Sequence, residues 1–135
     1  MLFRSDGQWV DADSGATFPV IDPATGEAIA HVPRMGAVET RRAIEAAERA
    51  QVGWAKRLAK ERARILRDLA DAMIANTDDL AAIMTAEQGK PLKEAMAEIA
   101  YAAAFIEWYA EEAKRIYGDV IPSHQADKQI GRAHV

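Results

Sequence analysis

Histidine, cysteine and clustered carboxylates are the side chains that most often bind metals or act as nucleophiles, and this sequence has few of them. Its three histidines, His31, His124 and His134, are far apart and have no acidic cluster beside them. Because a metal ion needs ligands that converge, we expect ordinary surface histidines at these positions. The lack of any cysteine excludes disulfides, thiolate metal sites and a cysteine nucleophile within these 135 residues.

One carboxylate pair has a spacing that could carry chemistry. Glu94 and Glu98 are four residues apart, so they share one face of a helix, as they do in carboxylate-bridged two-metal bundles. Those bundles also need Glu-x-x-His pairs on other helices, and no predicted helix here contains a histidine. Ion pairs with the nearby Lys90 and Lys93 are the favoured interpretation, although a small metal bundle stays an alternative.

Other catalytic patterns are missing from the sequence. It has no Gly-rich phosphate-binding motif, and Ser5, Ser14 and Ser123 have no acid–base companions nearby. The types and spacing of these residues therefore do not assemble an active site.

The composition is that of a globular chain. The hydrophobic fraction is 50%, the charged fraction is 28% and the formal net charge is −4. Since its basic residues are dispersed among acidic ones, we expect no nucleic acid partner. No apolar run is long enough to span a membrane, and the first residues do not resemble a signal peptide, so the expected location is the cytoplasm.

The first third of the chain predicts a short β meander. Leu2–Arg4 and Gln8–Val10 flank an Asp6-Gly7 hairpin turn. Thr17–Ile21 and Glu27–Val32 are the next two strands, and the turn between them contains a proline and a glycine.

The rest of the chain predicts four helices. Apolar residues at spacings of three and four indicate helices over Ala37–Ala55 and Ala59–Ala75, a short helix from an N-cap at Thr77 to Gly89, and a long helix from about Pro91 to Tyr117. The residues expected to face inward are Thr40, Ala43, Ile44, Ala47, Gln51, Trp54, Ile65, Leu66, Leu69, Ala72, Met73, Leu80, Ile83, Met84, Leu92, Met96, Ile99, Ala103, Ile106, Ala110 and Ala113.

The long helix has a second apolar side. Tyr101, Phe105 and Trp108 lie nearly opposite the inward stripe, where a solvent-facing helix would carry Lys and Glu. We therefore expect this side to be exposed here and to be intended for contact with further protein. A free-standing helical module that docks a partner through this side is the alternative function.

Two motifs and two further segments resemble those of a known family. The Asp-Pro-x-Thr-Gly-Glu run at Asp22–Glu27 and the junction at Thr85–Leu92 resemble those of the aldehyde dehydrogenase superfamily. Glu98–Arg115 and Tyr117–Gln125 resemble its succinate-semialdehyde dehydrogenase branch.

The resemblance implies an α/β parent fold with a Rossmann-type cofactor domain, of which residues 1–128 would be the N-terminal part. In such a parent, a cysteine attacks the aldehyde, hydride passes to NAD or NADP, and a glutamate assists hydrolysis. The corresponding cysteine, glutamate and oxyanion-site asparagine would lie beyond this chain. We therefore expect these 135 residues to be inactive and to bind no cofactor, and we expect the parent to be a homo-oligomer.

The resemblance also suggests roles for a few residues of this chain. Tyr101 corresponds to a position on the substrate tunnel, and Glu87 with the backbone at Val20 and Ile21 corresponds to a peripheral monovalent-cation site in some relatives. Residues 129–135 depart from the family pattern, and we expect them to be an artificial tail.

Overall fold

The computed structural model describes residues 3–120 and 132–133. Its strands and helices follow the order β1 (Phe3–Ser5), β2 (Gln8–Val10), β3 (Thr17–Ile21), β4 (Ala28–Pro33), α1 (Ala37–Ala55), α2 (Ala59–Ala75), α3 (Thr77–Gln88), α4 (Leu92–Glu112), β5 (Asp119–Val120) and β6 (Arg132–Ala133). None of the helices in this part of the chain is long and apolar enough to cross a membrane.

The first hairpin forms where the Asp-Gly signal predicts it. β1 and β2 pair antiparallel, with Ser5 opposite Gln8. The two residues between them have positive φ angles, 49° at Asp6 and 75° at Gly7, which is the conformation that a two-residue hairpin turn requires.

The second hairpin joins β3 to β4, also antiparallel. In its turn the Asp22 carboxylate accepts a hydrogen bond from the Ala24 N–H at 2.7 Å, and the Asp22 carbonyl accepts one from the Gly26 N–H at 2.8 Å. Gly26 has a φ angle of 75°, which glycine adopts without strain.

The first four strands follow one another as the predicted short meander, and they pair as two separate hairpins. The reason lies in the segment between β2 and β3, which is bonded to α1 rather than to a neighbouring strand. The Asp13 N–H donates to Glu39 of α1, and the Asp13 carboxylate accepts from Arg42.

The bounds of α1 and α2 are those predicted, while the start of α3 and the end of α4 differ. Asn76 precedes α3, and the hydroxyl of Thr77, the predicted N-cap, instead donates back to the Ile74 carbonyl at 2.8 Å. α4 ends at Glu112, five residues before Tyr117, because the N–H of Arg115 bonds to the carbonyl three residues back and tightens the chain into a turn.

The helical core is built from small side chains. α4 packs against both α2 and α3, and Arg67 of α2 bridges to Glu107 at 3.2 Å and also to Glu111, both on α4. Apart from Ile99 and Pro33, the buried residues in the described part of the chain are all alanines: Ala12, Ala46, Ala63, Ala70, Ala81, Ala95, Ala103 and Ala110. Helices that meet through alanines approach closely, which leaves bulkier side chains at the margins.

Several of the predicted inward positions are exposed. Ile44 is 63% exposed, and Leu69 and Ile83 are each 48% exposed. α1 turns Ala46 inward instead of Ile44, whereas the predicted stripe of α4 is buried at Ile99, Ala103 and Ala110.

Candidate functional site

The most distinctive surface of the chain is the side of α4 that faces away from α2 and α3. We call Tyr101, Phe105, Trp108 and Tyr109 the aromatic face. Tyr101 and Trp108 are each 65% exposed, and the rings of Tyr101 and Phe105 meet edge to face with centroids 4.8 Å apart. The predicted second apolar side of this helix is therefore confirmed as uncovered by the described residues.

The aromatic face could bind an apolar or aromatic surface, and the Tyr101 hydroxyl adds a hydrogen-bond donor. On the opposite side of α4, Ala95, Ile99, Ala103 and Ala110 are buried. Glu98, near the start of this helix, forms an ion pair with Lys90, as the sequence predicts.

Two segments that are distant in the sequence meet at the end of α3. Gly89 follows this helix with a φ angle of 70°, and a Cβ placed there would stand 2.9 Å from the Cγ of Pro23. The turn after β3 therefore lies against the junction between α3 and α4. Of the residues predicted for a cation site, Val20 is half-buried, while Ile21 and Glu87 are exposed.

A concavity lies between the β1–β2 hairpin and α1, and we call it the α1 groove. Its volume is about 730 Å³. Five carboxylates and two arginines border it: Asp6, Asp11, Asp13, Glu39, Glu45, Arg42 and Arg49.

The charges of the α1 groove do not fit the diphosphate of a nicotinamide dinucleotide. Arg42 is bonded to Asp13, and Arg49 lies 3.7 Å from Asp6. The N-terminus of α1, where a phosphate could bind, already holds the Glu39 carboxylate, which accepts from the Gly36 N–H at 3.0 Å.

The same network lowers the pKa values of two acidic groups, Asp13 and Glu39. The Arg42 guanidinium donates to both oxygens of Asp13 and holds the pKa of that carboxyl below its ordinary value. The pKa of Glu39 is lowered by backbone N–H groups, its own first and then those of Asp13 and Gly36. Sequence reasoning missed this network, although a glutamate three residues after Gly36 is a typical signal for the start of a helix.

The described residues contain no group of three His, Asp or Glu side chains arranged to hold a metal ion. His31 lies in β4, opposite Pro19. His124 and His134 lie outside the described residues, as does most of the predicted tail at 129–135.

A sequence model of the aldehyde dehydrogenase family matches residues 9–133, and the chain belongs to that family. It is 66% identical over 133 residues to the glutarate-semialdehyde dehydrogenase of Pseudomonas aeruginosa. It is 58% identical over 133 residues to the NADP(+) succinate-semialdehyde dehydrogenase of Escherichia coli. In both comparisons 96% of this chain is covered, and the chain spans 28% of the relative's length.

The fold agrees with a solved structure of the same family. The chain superposes on the crystal structure of succinate-semialdehyde dehydrogenase from Burkholderia pseudomallei with a TM-score of 0.88 and 60% identity. The match covers 93% of this chain and 26% of that one.

Proposed function

We propose that the chain is the N-terminal part of an NAD(P)-dependent aldehyde dehydrogenase that oxidises a short semialdehyde to a dicarboxylate. One observation carries the proposal: identities of 66% and 58% to glutarate- and succinate-semialdehyde dehydrogenases extend over 133 residues. The substrates in these names are aldehydes with a carboxylate at the far end of a short carbon chain. Succinate semialdehyde, as expected from the sequence, and glutarate semialdehyde are the two candidates.

The role of this chain in that reaction is structural. The oxidation needs a nucleophile that adds to the aldehyde and a nicotinamide that accepts the hydride. The sequence has no cysteine, and the α1 groove does not fit a diphosphate. The nucleophile and the cofactor-binding residues would therefore come from outside these residues. The choice between NAD and NADP, the homo-oligomeric state and the cytoplasmic location stay predictions.

Tyr101 is the residue of this chain that we assign to the substrate tunnel. Its exposed ring and hydroxyl support this role, since the hydroxyl could donate to the carboxylate end of the substrate. The aromatic face carries no cation of its own, so ionic recognition of that carboxylate would come from elsewhere in the enzyme.

We also propose a peripheral monovalent-cation site at Glu87 and the backbone of Val20 and Ile21. Support comes from the contact between Pro23 and Gly89, each two residues from one of these positions. In an active parent, Glu87→Gln would weaken activation by potassium, and Glu94→Gln serves as the matched control on an adjacent helix.

A chimaeric enzyme tests the proposal. The chain would replace the matching segment of the E. coli relative, and formation of reduced cofactor would be followed with succinate semialdehyde, glutarate semialdehyde and butanal. We expect turnover of a semialdehyde and much weaker turnover of butanal, which lacks the carboxylate. A chimaera with the relative's oligomeric size and melting temperature but no turnover would contradict the proposal.

Tyr101 can be examined in the same chimaera. Tyr101→Phe should raise the KM for the semialdehyde several-fold and leave kcat nearly unchanged, because the hydroxyl would contact the far end of the substrate. Tyr117→Phe is the control, since that tyrosine lies beyond α4. Equal effects of the two variants would refute a tunnel role for Tyr101.

The free-standing interaction module is the second candidate, and the exposed aromatic face is the observation that favours it. If the chimaera is active and the E. coli relative without its matching segment is inactive, that alternative is excluded.

A further inference from the structure

The β1–β2 hairpin lies along α1 and meets it through charged side chains at two places. Just beyond β2, the Arg42 guanidinium donates to the two Asp13 carboxylate oxygens at 2.9 and 2.7 Å. At the hairpin turn, Arg49 Nη2 lies 3.7 Å from Asp6 Oδ2. Since Arg42 and Arg49 are two helical turns apart, they share one face of α1 and are separated by about 10 Å along its axis.

The two attachments differ in strength. Glu39 accepts hydrogen bonds from the N–H groups of Asp13 and Gly36, each at 3.0 Å, so Asp13 is held through both its backbone and its carboxylate. The Asp6–Arg49 pair has no hydrogen bond, and its side chains are 74% and 66% exposed. Such an exposed ion pair contributes little to stability.

The α1 groove separates the hairpin from the helix between these two attachments. Val10 of β2 and Met35, Ala43 and Ala46 line it, so its lining includes apolar side chains. A two-stranded hairpin is at best marginally stable by itself, and the position of β1–β2 therefore depends on its contacts with α1.

We propose that the β1–β2 hairpin is a flap over the α1 groove, hinged at Asp13, Glu39 and Arg42 and latched at its turn by Asp6 and Arg49. Opening breaks the weak latch first and moves the turn away from α1, while the hinge keeps Asp13 in place. Opening uncovers the apolar lining of the α1 groove. The proposal does not depend on the proposed enzymatic function.

Amide hydrogen exchange, measured residue by residue on the 135-residue chain, tests whether the hairpin opens as such a flap. Arg49→Ala should raise exchange at the amides of Ser5 and Gln8, which pair across the turn, about two- to fivefold and leave the Asp13 amide unchanged. Arg42→Ala should raise exchange at Asp13 and throughout the hairpin. Arg41→Ala, which removes the same charge one residue away, is the matched control and should change neither region.

A second variant shows whether the latch is direct. Asp6→Asn removes the charge but keeps a residue that tolerates the positive φ angle of the turn. It should reproduce the effect of Arg49→Ala, and the double variant should exchange no faster than either single one. Additive effects, an unchanged turn in Arg49→Ala, or equal acceleration at the turn and at Asp13 in that variant would each overturn the proposal.

Discussion

Gly89, at the end of α3, lies directly against Pro23 in the turn between β3 and β4: a Cβ at Gly89 would stand 2.9 Å from the Pro23 Cγ. Both residues belong to segments that resemble those of the family. Their contact restricts which residue types fit at the two positions. The first needs a rigid turn, and the second needs a residue without a side chain in a left-handed conformation.

Gly89→Ala should destabilise the chain by roughly 1–3 kcal/mol. The φ angle of 70° is strained for alanine, and its Cβ would collide with the proline ring. The free energy of unfolding in urea measures the effect.

Gly53→Ala is the matched control for this prediction. Gly53 lies inside α1, and a Cβ there would meet nothing within 4 Å. Alanine should stabilise this helix by about 1 kcal/mol. Equal effects of the two substitutions would show that the contact with Pro23 is unimportant.

Trp108→Gln should change the melting temperature little and should improve solubility. Trp108 is 65% exposed, so the substitution removes apolar surface from water rather than from a core. Binding of a dye that reports exposed apolar surface should fall.

Ile99→Ala provides the comparison for Trp108. Ile99 is buried on the opposite side of α4, and its truncation should cost roughly 2–5 kcal/mol. Collapse of the fold in Trp108→Gln would show that the aromatic face is internal.

The alanine core predicts a low tolerance for larger side chains. Ala95 is completely buried, so Ala95→Leu should force the helices apart and cost roughly 1–3 kcal/mol. Ala47→Leu on the exposed side of α1 should be nearly neutral. A neutral Ala95→Leu would mean that the helices are packed less tightly than the structure indicates.

Acid should weaken the attachment of the hairpin to α1. Asp13 and Glu39 have folded-state pKa values below their ordinary values of 3.8 and 4.5. The stabilisation that these two carboxylates give to the folded chain is therefore fully present above their ordinary pKa values. It is lost as the pH falls through their lower folded-state pKa values.

Urea midpoints recorded between about pH 7 and about pH 3 would show this loss. In Asp13→Asn the decline at low pH should be shallower than in the wild type. Asp11→Asn is the matched control, because the Asp11 carboxylate makes no hydrogen bond in the described part of the chain. An identical acid decline in wild type and Asp13→Asn would contradict this assignment.

Local signals in the sequence were sufficient for much of this fold. Asp6-Gly7 determines its own hairpin turn, and apolar spacing places the bounds of α1 and α2, because both depend on neighbours within a few residues. The same holds for the two sides of α4.

Non-local contacts could not be predicted in this way. Asp13 and Arg42 are 29 residues apart, and no periodic pattern connects them. Ile44 is predicted to face inward because it is large and apolar, but α1 buries Ala46 on the side of the β1–β2 hairpin and leaves Ile44 exposed. The cation site at Glu87, Val20 and Ile21 stays a prediction, because a sequence does not give the distances between residues that are far apart in the chain.

We propose that this chain supplies the framework of a semialdehyde dehydrogenase without its catalytic groups. The most direct measurement compares the 135-residue chain with the chimaera in one assay of reduced-cofactor formation from succinate semialdehyde, with NAD and NADP supplied separately. We expect no turnover by the chain alone and clear turnover by the chimaera. Turnover by the chain alone, or a correctly assembled chimaera that remains inactive with both succinate and glutarate semialdehyde, would contradict it.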